Sequence, residues 1–254
     1  MNSDVVRCGT RQFCPCFHHI NSRQRISTSK EMHLLPSTVV VILGVALAQD
    51  HAKLTMWATQ TDVGGCSLPK GDYALQDAFA LGDDPSLGEL IYKQGNIDSP
   101  CGMVFQISCD GREPVKAIVA STNFGGGADL ILSTWDKATG LSPGITYCSV
   151  SMTNENPLTA SVPVCYTRAV SEGNGIIYYT KITVMNTGGR VASQVSIGGN
   201  TGSRSSGAWF QVSGQMSPSD NAAFTFTDGT TLDFALSDCL TSNEGDVQIF
   251  GGSS

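Results

Sequence analysis

Six cysteines lie between positions 66 and 239 of this 254-residue chain, an even number that suits three disulfides and would strongly constrain the fold. They follow an apolar run at residues 34–48 that ends in Ala46-Leu47-Ala48, a pattern typical of a secretory signal peptide and its cleavage site. The run is short for a membrane span, although a signal anchor is the alternative. We therefore expect residues 1–48 to be a leader and the six cysteines to form three disulfides in an oxidising compartment.

Charge and histidine content exclude several classes of function. After residue 48 the chain carries ten Lys and Arg against twenty Asp and Glu, a net charge of −10. This charge argues against nucleic acids, anionic membranes and pectin-like polymers as main partners, but not against a neutral polysaccharide. Three of the four histidines lie in the leader and His51 follows it closely, so the folded part lacks the histidine that a Ser-His-Asp, Cys-His or histidine-built zinc site needs.

Short alternating segments separated by turn residues predict a mainly β first half. A helix or a loop suits residues 73–92 equally, and one short helix is expected after Asp129, capped by Ser133 and ended by Gly140. Nine extended residues span roughly 25 Å, so Cys101 and Cys109 at the ends of one predicted strand cannot bond to each other. The predicted strands are residues 54–58, 101–109, 115–120 and 145–151.

The second half follows a polar, proline-containing linker candidate at residues 153–161. Beyond it the pattern is purely β, and seven short strands in about 90 residues predict a β-sandwich. We expect Trp209 to lie in its core. The predicted strands are residues 162–169, 176–185, 191–197, 208–212, 222–227, 231–236 and 247–250.

A glycine-rich stretch marks the candidate site. Gly125, Gly126 and Gly127 come just before Asp129, which opens an apolar run. Glycines let a backbone approach another group closely, and a carboxylate beside such a turn can face a ligand. The alternative is that Asp129 is an ordinary solvated turn residue.

Several motifs, taken in order, resemble the expansins and their microbial relatives. In the first half these are Thr55-Met56-Trp57, Gly64-Gly65-Cys66, the segment from Cys101-Gly102 to Cys109, and Asp129-Leu130-Ile131-Leu132-Ser133 with its following helix. In the second half they are Asn186-Thr187-Gly188-Gly189 and the segment from Asp228-Gly229 to Leu236. The resemblance implies a six-stranded double-psi β-barrel at residues 49–156 and an immunoglobulin-like, carbohydrate-binding β-sandwich at residues 162–254.

The resemblance also implies a function. Such a protein would be secreted to the cell wall, where it would bind cellulose or a related β-glucan, with xyloglucan and chitin as further candidates. It would loosen non-covalent contacts between chains without hydrolysis, as a monomer without a cofactor or metal. The resemblance implies the disulfides Cys66–Cys101 and Cys165–Cys239 and leaves Cys109 and Cys148 as the third pair.

The same resemblance suggests which residues would bind polysaccharide, and none of them is catalytic. In strict alignment the family's barrel acid falls on Ile131, but Asp129, two residues earlier, can share the same strand face. A second family acid is replaced by Asn123. The implied binding residues are Thr55, Trp57, Asn123 and Asp129 on the barrel, with Tyr178 and Tyr179 as an aromatic platform on the sandwich.

Three other functions remain open at this point. The absence of both family acids favours a binding-only wall protein or effector. A glycan-cleaving enzyme would need a second carboxyl group, for which Asp62 is the candidate partner of Asp129. A defence-type protein or protease inhibitor could use the same barrel. Trp57, and one tyrosine of the pair Tyr178 and Tyr179, could instead be packed core residues.

Overall fold

The strands of this chain are short and mostly amphipathic, and they build the two halves that the sequence predicts. The structure, a computed structural model, describes residues 49–61, 65–82, 100–123 and 127–251. The predicted leader, residues 1–48, and Asp62 lie outside these ranges. The elements are β1 (Gln49–Met56), β2 (Ala78–Gly82), β3 (Val104–Ser108), β4 (Val115–Asn123), β5 (Ala128–Leu130), α1 (Leu132–Thr139), β6 (Ile145–Met152), β7 (Val164–Gly173), β8 (Ile176–Met185), β9 (Ala192–Ile197), β10 (Asn200–Ser206), β11 (Trp209–Met216), β12 (Asn221–Phe226), β13 (Thr231–Ala235) and β14 (Leu240–Thr241).

Within the described residues, strands β1 to β6 form a closed barrel in the order β1-β5-β2-β4-β3-β6. The pairs β1–β5 and β2–β4 are parallel and the other pairs antiparallel, so the chain crosses the barrel rather than running up and down. Along β1, Ala52 and Leu54 are buried inside while Lys53 and Thr55 lie outside. The mainly β fold with a six-stranded barrel is therefore confirmed.

Two barrel strands differ from the prediction. Residues 78–82, for which a helix or a loop was expected, form β2, and every residue in it is buried. A strand covered on both faces has no alternation, so its pattern cannot be distinguished from that of a buried helix. The strand expected at residues 101–109 begins only at Val104, because Gly102 adopts φ +81° in a preceding turn.

Helix α1 ends where the sequence predicts but begins differently. Gly140 adopts a left-handed conformation, φ +64°, and its N–H bonds the Asp136 carbonyl, which ends the helix. The predicted cap at Ser133 is wrong: Ile131 is the N-cap, in extended conformation, and no side chain caps the helix. No helix in the described part of the chain is long and apolar enough to cross a membrane.

The second half is a curled sheet in which the described strands run in the order β13-β12-β9-β10-β11-β8-β7-β14. Strand β10 pairs with both β9 and β11 and so joins the two layers of the predicted sandwich. Side chains of both layers share one core, among them Ile182, Val195, Val212 and Phe224. Trp209 is buried, as predicted, but packs with the barrel core instead.

Strand β10 and the segment at residues 247–250 were not predicted correctly. Strand β10 was missed because its sequence is polar and lacks an apolar alternation. The strand expected at residues 247–250 is wrong: Val247 forms only an isolated bridge to Pro69, and the Gln248 N–H bonds the Leu68 carbonyl. Phe250 is fully buried with the barrel core, so this apolar segment packs against the barrel instead of extending the sheet.

The disulfides implied by the resemblance are all present. Cys66–Cys101 and Cys109–Cys148 stabilise the barrel half, and Cys165–Cys239 stabilises the sheet. Their Cα–Cα distances are 5.4, 4.6 and 4.6 Å, within the usual range for a bridge. Each bridge joins two cysteines of the same half.

The barrel and the sheet contact each other through buried side chains and a tight turn. The Trp209 indole Nε1 donates to the Ser67 carbonyl at 2.7 Å, and the Arg168 guanidinium stacks over the Trp209 ring at 3.9 Å. Gly207, between β10 and β11, lies so close to Gly65 that an added Cβ would be 2.2 Å from the Gly65 carbonyl oxygen. The two halves therefore fit together at the level of the backbone.

Arg168 is an unusual member of this contact because it is only 5% exposed. Burial lowers the pKa of its guanidinium, while the nearby Glu244 and Asp246 carboxylates raise it. One Nη donates to the Ser67 carbonyl, and Nε has no hydrogen-bond partner among the described residues. Its stacking on Trp209 offsets part of the cost of burying the charge.

Candidate functional site

Three polar side chains on the outside of the barrel form one hydrogen-bonded group, which we call the Asp129 cluster: Thr55, Asn123 and Asp129. The Thr55 hydroxyl donates to one carboxylate oxygen of Asp129. The Asn123 amide donates to the other at 2.5 Å. Both oxygens of the carboxylate are thus held by neutral donors from two other strands, and all three side chains are half-buried. Asp129 is not a solvated turn residue.

The order of the strands brings these residues together. Thr55 and Asp129 are direct partners in the parallel pair β1–β5. On the other side of β5, Asp129 pairs with Ala80 in β2, and β2 pairs in turn with the end of β4, where Asn123 lies. Ala128 and Leu130 point into the barrel, so alternation turns the Asp129 side chain outward.

Gly127 explains part of the glycine-rich stretch. It adopts φ +79°, and a Cβ there would meet the Lys53 carbonyl oxygen at 2.3 Å. Only glycine allows β5 to start this close to β1. At this position the glycine serves the approach of two strands, which in turn places Asp129 beside Thr55. Gly125 and Gly126 lie outside the described residues.

Ile131, the residue that strict alignment puts at the family's acid position, is fully buried. It is the N-cap of α1, and its Cδ1 lies against Gly251. The outward carboxylate of this strand is therefore that of Asp129, one pleat before the aligned position.

Trp57 lies just beyond the end of β1, on the outward side that also carries Thr55. Its backbone N–H donates to the Leu130 carbonyl, and the residue is half-buried against the barrel core. Met56, the last residue of β1, is also only partly buried. The Trp57 ring is therefore both a packing group and a partly accessible surface.

The two sheet tyrosines are both accessible, to different degrees. Tyr178 is 44% exposed, and Tyr179 is half-buried where β8 pairs with Ser171 of β7 and Ser213 of β11. The alternative that one of them points into the core does not hold. Tyr178 offers the larger free ring surface.

The sequence analysis missed two exposed apolar residues of β6, Ile145 and Tyr147. They lie directly opposite Thr55 and Lys53 in the antiparallel pair β1–β6. Buried residues at alternate positions, Cys148 and Val150, show that this strand is amphipathic. In the sequence, an aromatic residue at an outward strand position does not differ from one at an inward position.

The chemistry available here is binding through hydrogen bonds and ring stacking. A carboxylate accepts several hydrogen bonds, so Asp129 keeps acceptor capacity for the hydroxyls of a ligand. Its two partners are neutral, whereas glycoside hydrolysis needs a second carboxyl group at a defined distance. Within the described ranges no group of three or more His, Cys, Asp or Glu residues could hold a metal ion.

Comparisons with known proteins match this architecture to solved structures. The crystal structure of an apo expansin from Clavibacter michiganensis superposes with a TM-score of 0.54 and 16% identity, covering 73% of this chain and 89% of that one. A mutant Clavibacter michiganensis expansin in complex with cellohexaose gives 0.51 and 15%, with the same coverage. No protein-family model matches the sequence, and a search of curated proteins finds no match. The chain has the expansin fold.

Proposed function

We propose that this chain is a secreted, expansin-like protein that binds a cell-wall β-glucan, with cellulose as the first candidate. It would loosen the non-covalent contacts between glucan chains without cutting them. The observation that carries the proposal is the Asp129 cluster, a fixed carboxylate on the outer face of a barrel with the expansin fold. A solved expansin with cellohexaose bound supports the choice of ligand.

The six binding residues implied by the resemblance would form two groups, one on the barrel and one on the sheet. On the barrel, Asp129 would orient sugar hydroxyls, with Thr55 and Asn123 as its donors and Trp57 as a stacking edge. On the sheet, Tyr178 would stack on a sugar ring with Tyr179 beside it, because an aromatic face suits the apolar face of a pyranose. Disulfides in both halves support secretion to an oxidising compartment.

A binding-only wall protein is the second candidate. The buried Ile131 and the amide of Asn123 favour it, because they stand where relatives are expected to carry acids. Such a protein would bind the polymer without weakening its network.

The test measures binding, loosening and cleavage separately. Wild type should sediment with cellulose, and the variant Tyr178→Ala/Tyr179→Ala should bind at least fivefold less, since each stacked ring contributes about 0.5–1.5 kcal/mol. Leu240→Ala, which removes an exposed apolar side chain elsewhere on the sheet, is the matched control. Chitin and peptidoglycan serve as competing polymers.

Loosening is tested by the extension of wall strips under load. Asp129→Asn should abolish extension and weaken cellulose binding only in part, because it removes the charge of the barrel site and leaves the tyrosines of the sheet unchanged. If wild type binds cellulose but does not increase the extension of wall strips, the result rejects loosening and favours the binding-only candidate. New reducing ends from amorphous cellulose would contradict the non-hydrolytic proposal, and no binding to any polymer would reject both candidates.

A further inference from the structure

Two large apolar side chains are unusually exposed on the outside of the barrel. Ile145 is 65% and Tyr147 61% exposed, both on β6. The opposite face of β6 points into the barrel, where Cys148 and Val150 are buried. The barrel fold itself therefore does not use either side chain for packing.

Their position relative to the Asp129 cluster is fixed by strand register. Ile145 pairs directly with Thr55, and Tyr147 with Lys53, across the antiparallel pair β6–β1. Directly opposite residues of an antiparallel pair share a face, so both side chains lie on the outward face that carries Thr55. Asp129 follows on the next strand, β5.

Strand spacing gives the size of this surface. Neighbouring strands lie about 5 Å apart, and residues i and i+2 lie about 7 Å apart along a strand. The backbone of Tyr147 is thus displaced from that of Thr55 by one strand spacing across the sheet and by two residues along the strand. Together these steps put the two backbones about 9 Å apart, longer than one pyranose residue and within the length of a disaccharide, so a chain of linked sugars can touch both.

From this geometry we infer that Tyr147, supported by Ile145, is a further sugar-binding position of the barrel. A glucan chain would cross β6 and β1 towards β5, stacking one ring on Tyr147 while a neighbouring sugar bonds the Asp129 cluster. A sugar ring has apolar C–H faces and a polar rim, and this surface offers an aromatic face directly beside hydroxyl and carboxylate groups. The inference rests on the proposed function and adds a ligand-contacting residue to it.

The test compares Tyr147→Ala and Tyr147→Phe with wild type in titrations with cellohexaose and in cellulose-binding isotherms. Tyr147→Ala should weaken binding about five- to tenfold, and Tyr147→Phe should stay within about twofold because the ring face is kept. Val162→Ala, which also truncates a 61% exposed side chain, should bind as wild type. The same loss is expected when Tyr178 is already alanine, since Tyr178 belongs to the sheet.

The outcomes separate this inference from the proposed function. Wild type that binds cellulose or cellohexaose, with Tyr147→Ala binding equally well, overturns the role of Tyr147 and leaves the proposed function standing. An equal loss in Val162→Ala would also overturn it, because the effect would not be specific to this face. Wild type that binds neither ligand rejects the proposed function and this inference together.

Discussion

At the scale of single residues, the carboxylate of Asp129 is oriented before any ligand arrives. Thr55 and Asn123 each bond a different oxygen, and the three residues come from three strands. Donors fixed in this way hold one rotamer of the acid and reduce the ordering cost of binding. The fold itself therefore orients the carboxylate, as the proposed sugar binding would require.

Replacing Thr55 by Val tests this orientation with little change of shape. The variant removes one donor to a charged group, so we expect polymer binding to weaken and the free energy of unfolding to fall by about 1 kcal/mol. Urea unfolding followed by circular dichroism gives the stability, and a cellulose isotherm gives the affinity. Thr159→Val, which removes a hydroxyl bonded to Asp72, is the control and should leave binding unchanged. Undiminished binding in Thr55→Val would contradict the orienting role.

Sequence reasoning found the members of this cluster but not their contacts. Thr55, Asn123 and Asp129 lie within recognisable motifs, so their side chains could be proposed. The exposure of Tyr147 was not predictable in the same way, because outward and inward strand positions look alike until the register with β1 is known. Burial of Ile131 likewise depends on where α1 begins, and helix starts without a side-chain cap leave a weak signal.

At the scale of elements, the hairpin β10–β11 makes a close backbone approach to the barrel half. Its turn residue Gly207 has φ +50° and no room for a Cβ beside Gly65 and Cys66. Gly65 is itself pressed against Thr122, the neighbour of Asn123, where an added Cβ would lie 2.2 Å from the threonine hydroxyl. Movement of this hairpin would therefore displace Gly65 and Thr122, next to the Asp129 cluster.

Gly207→Ala tests that contact against Gly229→Ala. Both glycines adopt a left-handed conformation, but a Cβ at Gly229 would meet no atom within 4 Å. Gly229→Ala should cost about 1–2 kcal/mol of unfolding free energy from the backbone alone. Gly207→Ala adds a steric clash, so we expect a total of about 2–4 kcal/mol and weaker polymer binding. Equal losses of stability in the two variants, measured by urea unfolding, would show that the hairpin can move aside freely.

Element prediction failed where amphipathic alternation fails. Strand β2 is buried throughout and β10 is polar, so neither shows the period of two that marks a half-buried strand. Strand β12, whose burial alternates, was predicted to within one residue of its observed bounds. The missing information is tertiary: β2 is covered on both sides, and β10 is held by two neighbouring strands.

At the scale of the whole molecule, the barrel and the sheet share buried surface and belong to one compact unit. Met185 and Trp209 of the sheet half join the barrel's core cluster. The Cβ of an alanine at Gly102 would meet the Met185 side chain at 2.8 Å, so the packing is close. We therefore expect wild type to unfold in a single calorimetric transition.

Trp209→Phe should weaken this coupling. It removes the indole N–H that bonds the Ser67 carbonyl and leaves a small cavity, at a cost of about 1–3 kcal/mol. Trp135→Phe removes a comparable bond, from the indole to the Leu141 carbonyl, within the barrel half, and is the control. Calorimetry should show a broadened or split transition for Trp209→Phe only. A single sharp transition in both variants would mean that other contacts suffice to couple the halves.

The disulfide pattern has a consequence for how the protein is made. The last cysteine of the barrel, Cys148, precedes Cys165, the first of the sheet, and no bridge crosses between them. Because the chain emerges N-terminus first, Cys148 is exposed before Cys165, and the barrel thiols can be oxidised before the thiols of the sheet are accessible. Six cysteines released together could pair in 15 ways, but the first four alone in only three, and the last two in one. The order of synthesis thus removes most mispairings, and the sheet can mature without reshuffling the bonds of a barrel that has already closed.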